Sequence, residues 1–427
     1  MNRLHQKFLT KSNRYRTWHN HHRHPFWHWT VFASFAILVS LYLTGAITNY
    51  TSTLDFQSIP VVHAAGNTYY ASPSGSGSAC SSSFPCALTT AVNLTSPGDT
   101  VVALDGTYST FGEDTYILFV RRGGLAGNSL TIKSLNKGGA ILNCGGKFDG
   151  YAAFGFNDNI SYVTVQDFRI TNCDRGFHIN ANNDHITVKG NELYDIQRGI
   201  NVGSDSDYVV IDSNIVHDFG CPDLLGQCHA IYPRGIDATI QNNIVYNNLG
   251  SGGYIHFGSY GVKPSGTWKI VNNTLIGVGT WNHWQIVAYD NDITTLIIDN
   301  NISYNDNYEM VRLMYASAPT GGEIKNNLVS SSASLCSGTP CASLAVSGNI
   351  QNTNPLLTDP VNNDYTLTAS SPAKDAALAT YAPSLDLLGV SRPQGSAYDI
   401  GAYEYVSGGG TPPDTTPPSA PTGVRVQ

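Results

Sequence analysis

Histidine, tyrosine and arginine are concentrated in the middle of this chain. The segment His229-Ala230-Ile231-Tyr232-Pro233-Arg234 places an imidazole, a phenol and a guanidinium within six residues. Together these groups can accept a proton, donate a proton and neutralise an anion. β-Elimination from a uronic acid requires a base for the C5 proton, an acid for the leaving oxygen, and a partner that neutralises the carboxylate.

Similar short segments recur on both sides of this one. When they are aligned, strand alternation sends one residue of each to the core and its neighbour outward. The predicted outward residues form a column: His178, Asn201, Tyr232, His256 and Arg312. Three residues earlier in four of the five segments lies a second set: Arg175, Arg198, His229 and Glu309. Such a collection of cations and imidazoles predicts a groove for an acidic polysaccharide.

Roles in a lyase can be assigned within this groove. We expect His229 or His256 as the base and Tyr232 as the acid, with Arg198, Arg234 or Asn201 holding the carboxylate. Lys263 and Arg312 are alternative bases. Several aromatic residues could stack on sugar rings, although tryptophan at a loop root also packs as core: Tyr260, Trp281, Trp284 and Tyr289.

Simpler interpretations apply to the same residues. A single His or Tyr on this face could only stack or bind a turn, and Arg175 and Arg198 could pair with Asp174 and Asp195 as solvated charges.

No cofactor is certain. Three acidic turns could hold Ca²⁺, but Asx-turns explain them more simply: 182–184, 204–207 and 289–292.

The column depends on a repeat that an asparagine marks. Asn191, Asn214, Asn243, Asn273, Asn301 and Asn327 each follow a short β-branched run. The register positions Val165, Val188, Ile211, Ile240, Ile270, Ile298 and Ile324 are separated by 23, 23, 29, 30, 28 and 26 residues. A period of this size predicts a solenoid whose coils carry loops of different lengths.

The asparagines narrow the solenoid to an all-β fold, a single-stranded right-handed parallel β-helix. Asn tolerates the left-handed backbone of a sharp bend, and its amide can bind the Asn one coil above and below, which gives an asparagine ladder. A leucine-rich repeat is excluded, because the leucine spacing that it requires is absent from this sequence. Ankyrin and tetratricopeptide repeats would need a helical periodicity that is missing.

Charge and the first 65 residues predict an exported protein. Six of the 23 basic residues and one of the 31 acidic residues precede residue 65, so the net charge of −8 becomes −13 without this leader. We therefore expect no nucleic-acid partner. Residues 1–65 resemble a signal peptide or membrane anchor with its apolar core near 31–47, so any membrane contact would come only through this segment if it is uncleaved. We expect a secreted or cell-surface protein, and a monomer.

Eight cysteines agree with an oxidising compartment. Three pairs flank short loops, Cys80 with Cys86, Cys221 with Cys228, and Cys336 with Cys341. Cys144 and Cys173 fall at the same register one coil apart, within the span of a disulfide. Zinc is a poor alternative because the paired ligand spacings are absent.

Two further blocks resemble the pectate-lyase-like superfamily, in particular exported bacterial members with a C-terminal anchor-associated segment. The first block comprises 69–75, 85–92, 97–102 and 106–108, and the second 364–367, 371–375, Asp386, 392–393 and 399–405. The resemblance implies a β-helix over 66–405 with an N-terminal helical cap near 87–94. It implies a polysaccharide lyase less specifically than it implies the fold.

The end of the chain changes in character. Residues 406–418 form a Gly/Pro/Thr linker, and 419–427 resemble the start of a fibronectin type III module that is truncated here.

Other functions stay open: a non-catalytic surface protein that binds glycans or acts in adhesion, a glycoside hydrolase, or a uronan epimerase. The aspartate trio of polygalacturonase-type hydrolases and the Asp-Pro-His of the epimerases are both missing from the sequence.

Overall fold

A computed structural model describes residues 66–221, 228–250, 252–258, 263–277, 284–289, 292–314 and 317–408. The predicted leader, most of the linker and the fibronectin-like start lie outside these residues. In the described part, no helix is long and apolar enough to cross a membrane.

Short strands account for most of the regular structure. The described residues contain one α-helix, α1, at Leu88–Asn93, and two 3₁₀ helices, at Thr339–Ser343 and Pro360–Asn362. The strands are β1 Thr68–Ala71, β2 Thr100–Ala103, β3 Gly106–Tyr108, β4 Tyr116–Val120, β5 Leu130–Ser134, β6 Ala140–Phe156, β7 Ser161–Gln166, β8 Arg169–Ile179, β9 Asp184–Lys189, β10 Glu192–Tyr194, β11 Arg198–Asp212, β12 Ile215–Val216, β13 Ile231–Gln241, β14 Ile244–Val245, β15 Ile255–Phe257, β16 Ser265–Val271, β17 Thr274–Ile276, β18 Ile286–Tyr289, β19 Asp292–Asp299, β20 Ile302–Tyr304, β21 Val311–Met314, β22 Gly321–Lys325, β23 Leu328–Val329, β24 Cys336–Ser337, β25 Ala345–Ser347, β26 Ile350–Gln351, β27 Leu357–Asp359 and β28 Asp364–Leu367.

The chain forms a right-handed parallel β-helix, as the sequence predicts. Each coil contributes a segment to three stacked parallel sheets, and β27 and β28 form a separate antiparallel pair. Sheet 1 contains the register positions of the repeat, and every predicted pairing is observed. It extends further at both ends, in the order Tyr69, Val101, Ile132, Val165, Val188, Ile211, Ile240, Ile270, Ile298, Ile324 and Val346.

Sheet 2 follows the asparagine turn. Its register runs through Thr107, Ile141, Arg169, Glu192, Ile215, Ile244, Thr274, Ile302, Leu328 and Ile350. Sheet 3 contains the predicted column of polar residues. Apolar side chains from all three sheets meet inside the coil, where Phe154, Phe168 and Phe177 are fully buried.

The asparagine ladder is confirmed, with one correction to its backbone. Asn243 Nδ2 donates to Asn273 Oδ1 at 3.0 Å, and Asn273 Nδ2 to Asn301 Oδ1 at 2.9 Å. The left-handed residue is the one before each ladder Asn, for example Asn272 with φ 53° and Asn300 with φ 59°. The bend is therefore made one residue earlier, which leaves the ladder side chain pointing into the coil and fully buried.

The first coil is covered by α1, near the predicted cap. Its Leu88, Ala91 and Val92 are buried against the first strands. All four predicted disulfides are present: Cys80–Cys86, Cys144–Cys173, Cys221–Cys228 and Cys336–Cys341. The second of these bonds joins adjacent coils, with 4.9 Å between the Cα atoms.

The C-terminal residues 354–405 form a strap. They run back along the asparagine turns between sheets 1 and 2 instead of only closing the last coil. Asn326, Asn300, Asn272 and Asn242 donate in turn to carbonyl oxygens of the strap, at 2.8–3.0 Å. The strap therefore covers the turns and leaves sheet 3 uncovered in the described contacts.

Candidate functional site

Sheet 3 places the predicted column in register. His178 pairs with Asn201, and Asn201 pairs with Tyr232. One coil further, Ile231 pairs with Ile255, which brings His256 above Tyr232. The neighbouring Phe177, Ile200, Ile231, Ile255 and Val311 are fully buried, as the strand alternation predicts. We call His178, Asn201, Tyr232, His256 and Arg312 the groove column.

One coil interrupts this column. Val287 pairs with His256 below and with Arg312 above, and its side chain is buried. The sequence alignment of the outward residues does not include this coil, because Val287 is apolar and carries no imidazole, phenol or guanidinium. Arg312 therefore stands two coils from His256, a separation of about 10 Å at the usual strand spacing.

Three aromatic rings meet at the centre of the groove. The His229 and His256 rings are perpendicular with centroids 4.0 Å apart, and Tyr232 lies 4.8 Å from His229 and 5.2 Å from His256. His256 Nδ1 is 2.8 Å from His229 Nε2, and the backbone N–H of Gly253 donates to His229 Nδ1 at 2.9 Å. This central cluster is assembled from two adjacent coils.

The prediction that His229 would face the groove is wrong. Its side chain is only 5% exposed, and both ring nitrogens are engaged. The residue precedes strand β13, where the bond from Gly253 holds the ring beneath His256. His229 therefore supports the surface and does not reach it.

Burial keeps the imidazoles of the groove neutral at pH 7. It lowers the pKa of His256 to about 4 and holds that of His229 well below its usual value, where His256 and Arg198 add to the effect. Burial, followed by Arg175 and Arg234, lowers the pKa of His178 to about 4. At neutral pH the positive charge of the groove therefore comes from arginine.

A buried carboxylate organises the lower end of the groove. Asp174, only 2% exposed, is hydrogen bonded by Arg198 and lies 3.8 Å from Arg175 Nε. The pairing with Asp174, considered from sequence, is therefore observed. Tyr116 binds His178 Nδ1 at 2.8 Å and was missed because it precedes the recognisable repeats.

The upper end carries a second arginine arrangement. Arg312 Nη1 donates to Glu309 Oε1 at 3.1 Å, and its guanidinium lies 4.4 Å over the Trp284 ring. Ser337 also donates to Glu309, which is almost buried. Glu309, Arg312 and Ser337 line an open cleft beside the paired strands β21 and β24 and the 3₁₀ helix that follows β24.

The remaining predicted residues are distributed around the centre. Arg234 stacks over Tyr232 at 5.2 Å, and the buried Oδ1 of Asn201 has no hydrogen-bond partner among the described residues. Lys263 pairs with Asp292 at 3.5 Å, before strand β16 of sheet 1. Tyr289 lies 6.4 Å from His256, whereas Tyr260 and Trp281 lie outside the described residues.

The acidic turns are engaged in local contacts. Asn183 Oδ1 accepts from the Ile160 N–H at 2.7 Å, and Asp207 Oδ1 accepts from the Tyr208 N–H at 2.9 Å. Part of the third turn lies outside the described residues. Within the residues that are described, no three His, Cys, Asp or Glu side chains converge in a way that could hold a metal ion.

A comparison with known protein families supports the fold. The family described as "Right handed beta helix region" matches residues 125–267, about a third of the chain. No curated protein matches the sequence. A solved structure of pectate lyase Pel9A has 15% identity and a TM-score of 0.46, with 80% of this chain and 97% of that chain covered.

Two further solved structures have a similar degree of likeness. A rhamnogalacturonan lyase has 16% identity and a TM-score of 0.43, with 66% of this chain and 87% of that chain covered. An alginate lyase from Paenibacillus sp. str. FPU-7 has 17% identity and a TM-score of 0.39, with 67% of this chain and 95% of that chain covered.

Proposed function

We propose that this protein acts outside the cell on a polysaccharide containing uronic acid and cleaves it by β-elimination. The observation that carries this proposal is the centre of the groove, where the phenol of Tyr232 and the imidazole of His256 lie against each other on an open sheet. Four disulfides that leave no described cysteine free support an oxidising, extracellular environment.

The distribution of charge favours an anionic polymer. Four arginines stand on sheet 3, in a chain whose net charge is −8: Arg175, Arg198, Arg234 and Arg312. The coils of Arg175 and Arg312 are five steps apart, or about 24 Å at the usual strand spacing. A site of this length fits several sugar units in a row better than a single sugar.

The chemistry of β-elimination matches the groups at the centre. A base removes the C5 proton, the electron pair of that bond forms the C4=C5 double bond, and the C4–O4 bond breaks. The leaving oxygen then takes a proton. Arg234 and Asn201 flank Tyr232, where they can hold the carboxylate whose negative charge grows as C5 loses its proton.

Hydrolysis fits this groove less well. A glycosidase needs two carboxyl groups about 5–9.5 Å apart. The carboxylates beside the groove column, Asp174 and Glu309, lie in coils about 24 Å apart and each is bound to arginine. Epimerisation shares the removal of the C5 proton with elimination, and the products distinguish the two.

A second candidate is binding without cleavage. Arg175, Arg198 and Arg312 are each paired with a carboxylate, and the imidazoles are neutral. A groove that presents hydrogen-bond donors and partly compensated cations could retain an acidic glycan without reacting with it. This candidate applies if binding is found and no product forms.

The test uses purified protein with pectate, alginate, glycosaminoglycans and ulvan. We expect one of them to yield unsaturated uronides, seen as growing ultraviolet absorbance, and Tyr232→Phe to abolish turnover while binding is retained. Tyr208→Phe is the matched control, because Tyr208 is half exposed in sheet 1. Binding without product would favour the non-catalytic candidate, and reducing ends without unsaturation would favour hydrolysis.

A further inference from the structure

The hydrogen bonds of the central cluster determine which ring nitrogen of His229 and of His256 carries the hydrogen. The backbone N–H of Gly253 can only donate, so His229 Nδ1 must be an acceptor without a proton. A neutral His229 then carries its proton on Nε2 and donates it to His256 Nδ1, 2.8 Å away. A neutral His256 in turn carries its proton on Nε2.

The Nε2–H of His256 has no acceptor in the described part of the protein. His256 Nε2 is buried and has no hydrogen-bond partner among the described residues. An unpaired buried donor costs about 1–3 kcal/mol, and a native protein that keeps such a donor has a functional use for it or a partner from outside the chain, such as a ligand atom. The unpaired donor lies in the groove column directly above Tyr232.

We infer that His229 is a positioning residue that fixes His256 as an N–H donor to the uronate carboxylate, and that Tyr232 performs both proton transfers. This inference rests on the proposed function and assigns the roles within it. The Tyr232 phenolate takes the C5 proton, the double bond forms as the C4–O4 bond breaks, and the phenol returns that proton to O4. Tyr232 ends as the phenolate, so no further reactant is needed.

The opposite assignment is costly. For His256 Nε2 to accept the C5 proton, His256 Nδ1 would have to donate to His229. A neutral His229 could accept this proton only at the nitrogen without a hydrogen, which is Nδ1, 3.2 Å away, and the single lone pair of that atom already accepts the Gly253 N–H. The titratable and charged groups that face Tyr232 and His256 are His229 and Arg234 on the β13 side, Arg198 on β11 and Tyr289 on β18.

A pH profile separates the two assignments. A base with the lowered pKa of His256, about 4, would be fully available above about pH 5.5, and kcat/KM would be flat from there to pH 8. A base that is mostly protonated at neutral pH, as a phenol is, would make kcat/KM rise about tenfold per pH unit over the same range. A flat profile would overturn the role of Tyr232.

Substitution of His229 tests the positioning role. His229→Gln keeps a donor near His256 Nδ1, whereas His229→Leu removes it. We expect His229→Leu to lower kcat about a hundredfold with a small change in KM, and His229→Gln to restore most of that loss. Asn248→Ala is the control, because Asn248 holds the same loop through Gly252 without touching either ring. Equal losses in all three variants would show a merely structural role.

Nitrogen NMR of histidine-labelled protein tests the order of protons without any turnover. In the wild type we expect His256 to carry its proton on Nε2 alone, and the Nε2–H signal to shift when an oligogalacturonate or oligoalginate hexamer is added. A proton on His256 Nδ1, or an Nε2–H signal that neither hexamer moves, would refute the inference. If the tautomer and the shift are as expected but no uronan yields unsaturated product, the cleavage proposal fails while the carboxylate-donor role of His256 stands.

Discussion

At the scale of single residues, the arginines of the groove differ in how firmly they are held. Arg198 is anchored to the buried Asp174 and its side chain is 19% exposed, whereas Arg312 is 36% exposed and rests on Trp284. An exposed guanidinium keeps donors for a ligand after it has bound its own carboxylate. Arg312 is therefore the residue best placed to bind a second acidic sugar beyond the centre.

Arg312→Gln should weaken binding of long acidic oligosaccharides and spare short ones. A charge-assisted hydrogen bond contributes about 1.5–3 kcal/mol, so we expect at least a tenfold loss of affinity for a hexamer. A dimer that occupies only the centre should bind as before. Isothermal titration with both lengths measures this, with Arg169→Gln as the control because Arg169 lies on sheet 2. Equal losses for dimer and hexamer would mean that Arg312 does not form a separate subsite.

At the scale of the structural elements, the asparagine ladder joins adjacent coils through buried hydrogen bonds. Asn243 accepts from the Asn214 N–H at 2.9 Å and donates to the Ile211 carbonyl at 2.8 Å, besides its amide bonds to neighbouring asparagines. Every one of these groups is buried. Removal of one ladder side chain therefore leaves several backbone and amide groups without partners.

Asn243→Ala should destabilise the β-helix by about 3–4 kcal/mol, because at least two buried groups lose their hydrogen bonds. Asn349→Ala at the end of the ladder should cost about 1 kcal/mol, since water can reach its former partners. Guanidinium unfolding followed by circular dichroism measures both. The ladder would be shown to add little if Asn243→Ala unfolded at the same denaturant concentration as the wild type.

The same elements show why much of this fold could be predicted. Because the coils stack in register, residues at equivalent positions of the repeat, such as Val165 and Val188, are also neighbours in space. The repeat in the sequence therefore predicts which residues pair between coils. The alternation along each strand then placed the groove column correctly. A search for polar outward residues passes over Val287, which is apolar, and it cannot report the burial of His229, which depends on the bond from Gly253 in the next coil.

At the scale of the whole β-helix, the strap and the groove occupy different sides of each coil. The strap binds the asparagine turns largely through its backbone carbonyls, and such contacts leave no period in the sequence, so its route could not be predicted. Arg392 joins two parts of the strap, because it donates to Glu404 at 2.9 Å with both side chains fully buried, and it also reaches the turns by donating to Asn242 Oδ1 at 3.3 Å. Arg392 also donates to the carbonyls of Asp399 and Gly401 at 3.0 and 2.9 Å.

Arg392→Met should loosen the strap and leave the activity of the groove unchanged. Loss of one partner from a buried ion pair costs about 3–5 kcal/mol, because the other charge stays without compensation. We expect earlier thermal inactivation and faster proteolysis within 354–405, with unchanged turnover or glycan binding at 25 °C. Arg392→Met with Glu404→Met should recover most of the stability, since no unpaired charge is then buried. Lys374→Met is the control, because its pair with Asp375 is partly exposed at 3.8 Å. If the double variant were as unstable as Arg392→Met alone, the bonds of Arg392 to the carbonyls of Asp399 and Gly401, and not its charge pair, would hold the strap together.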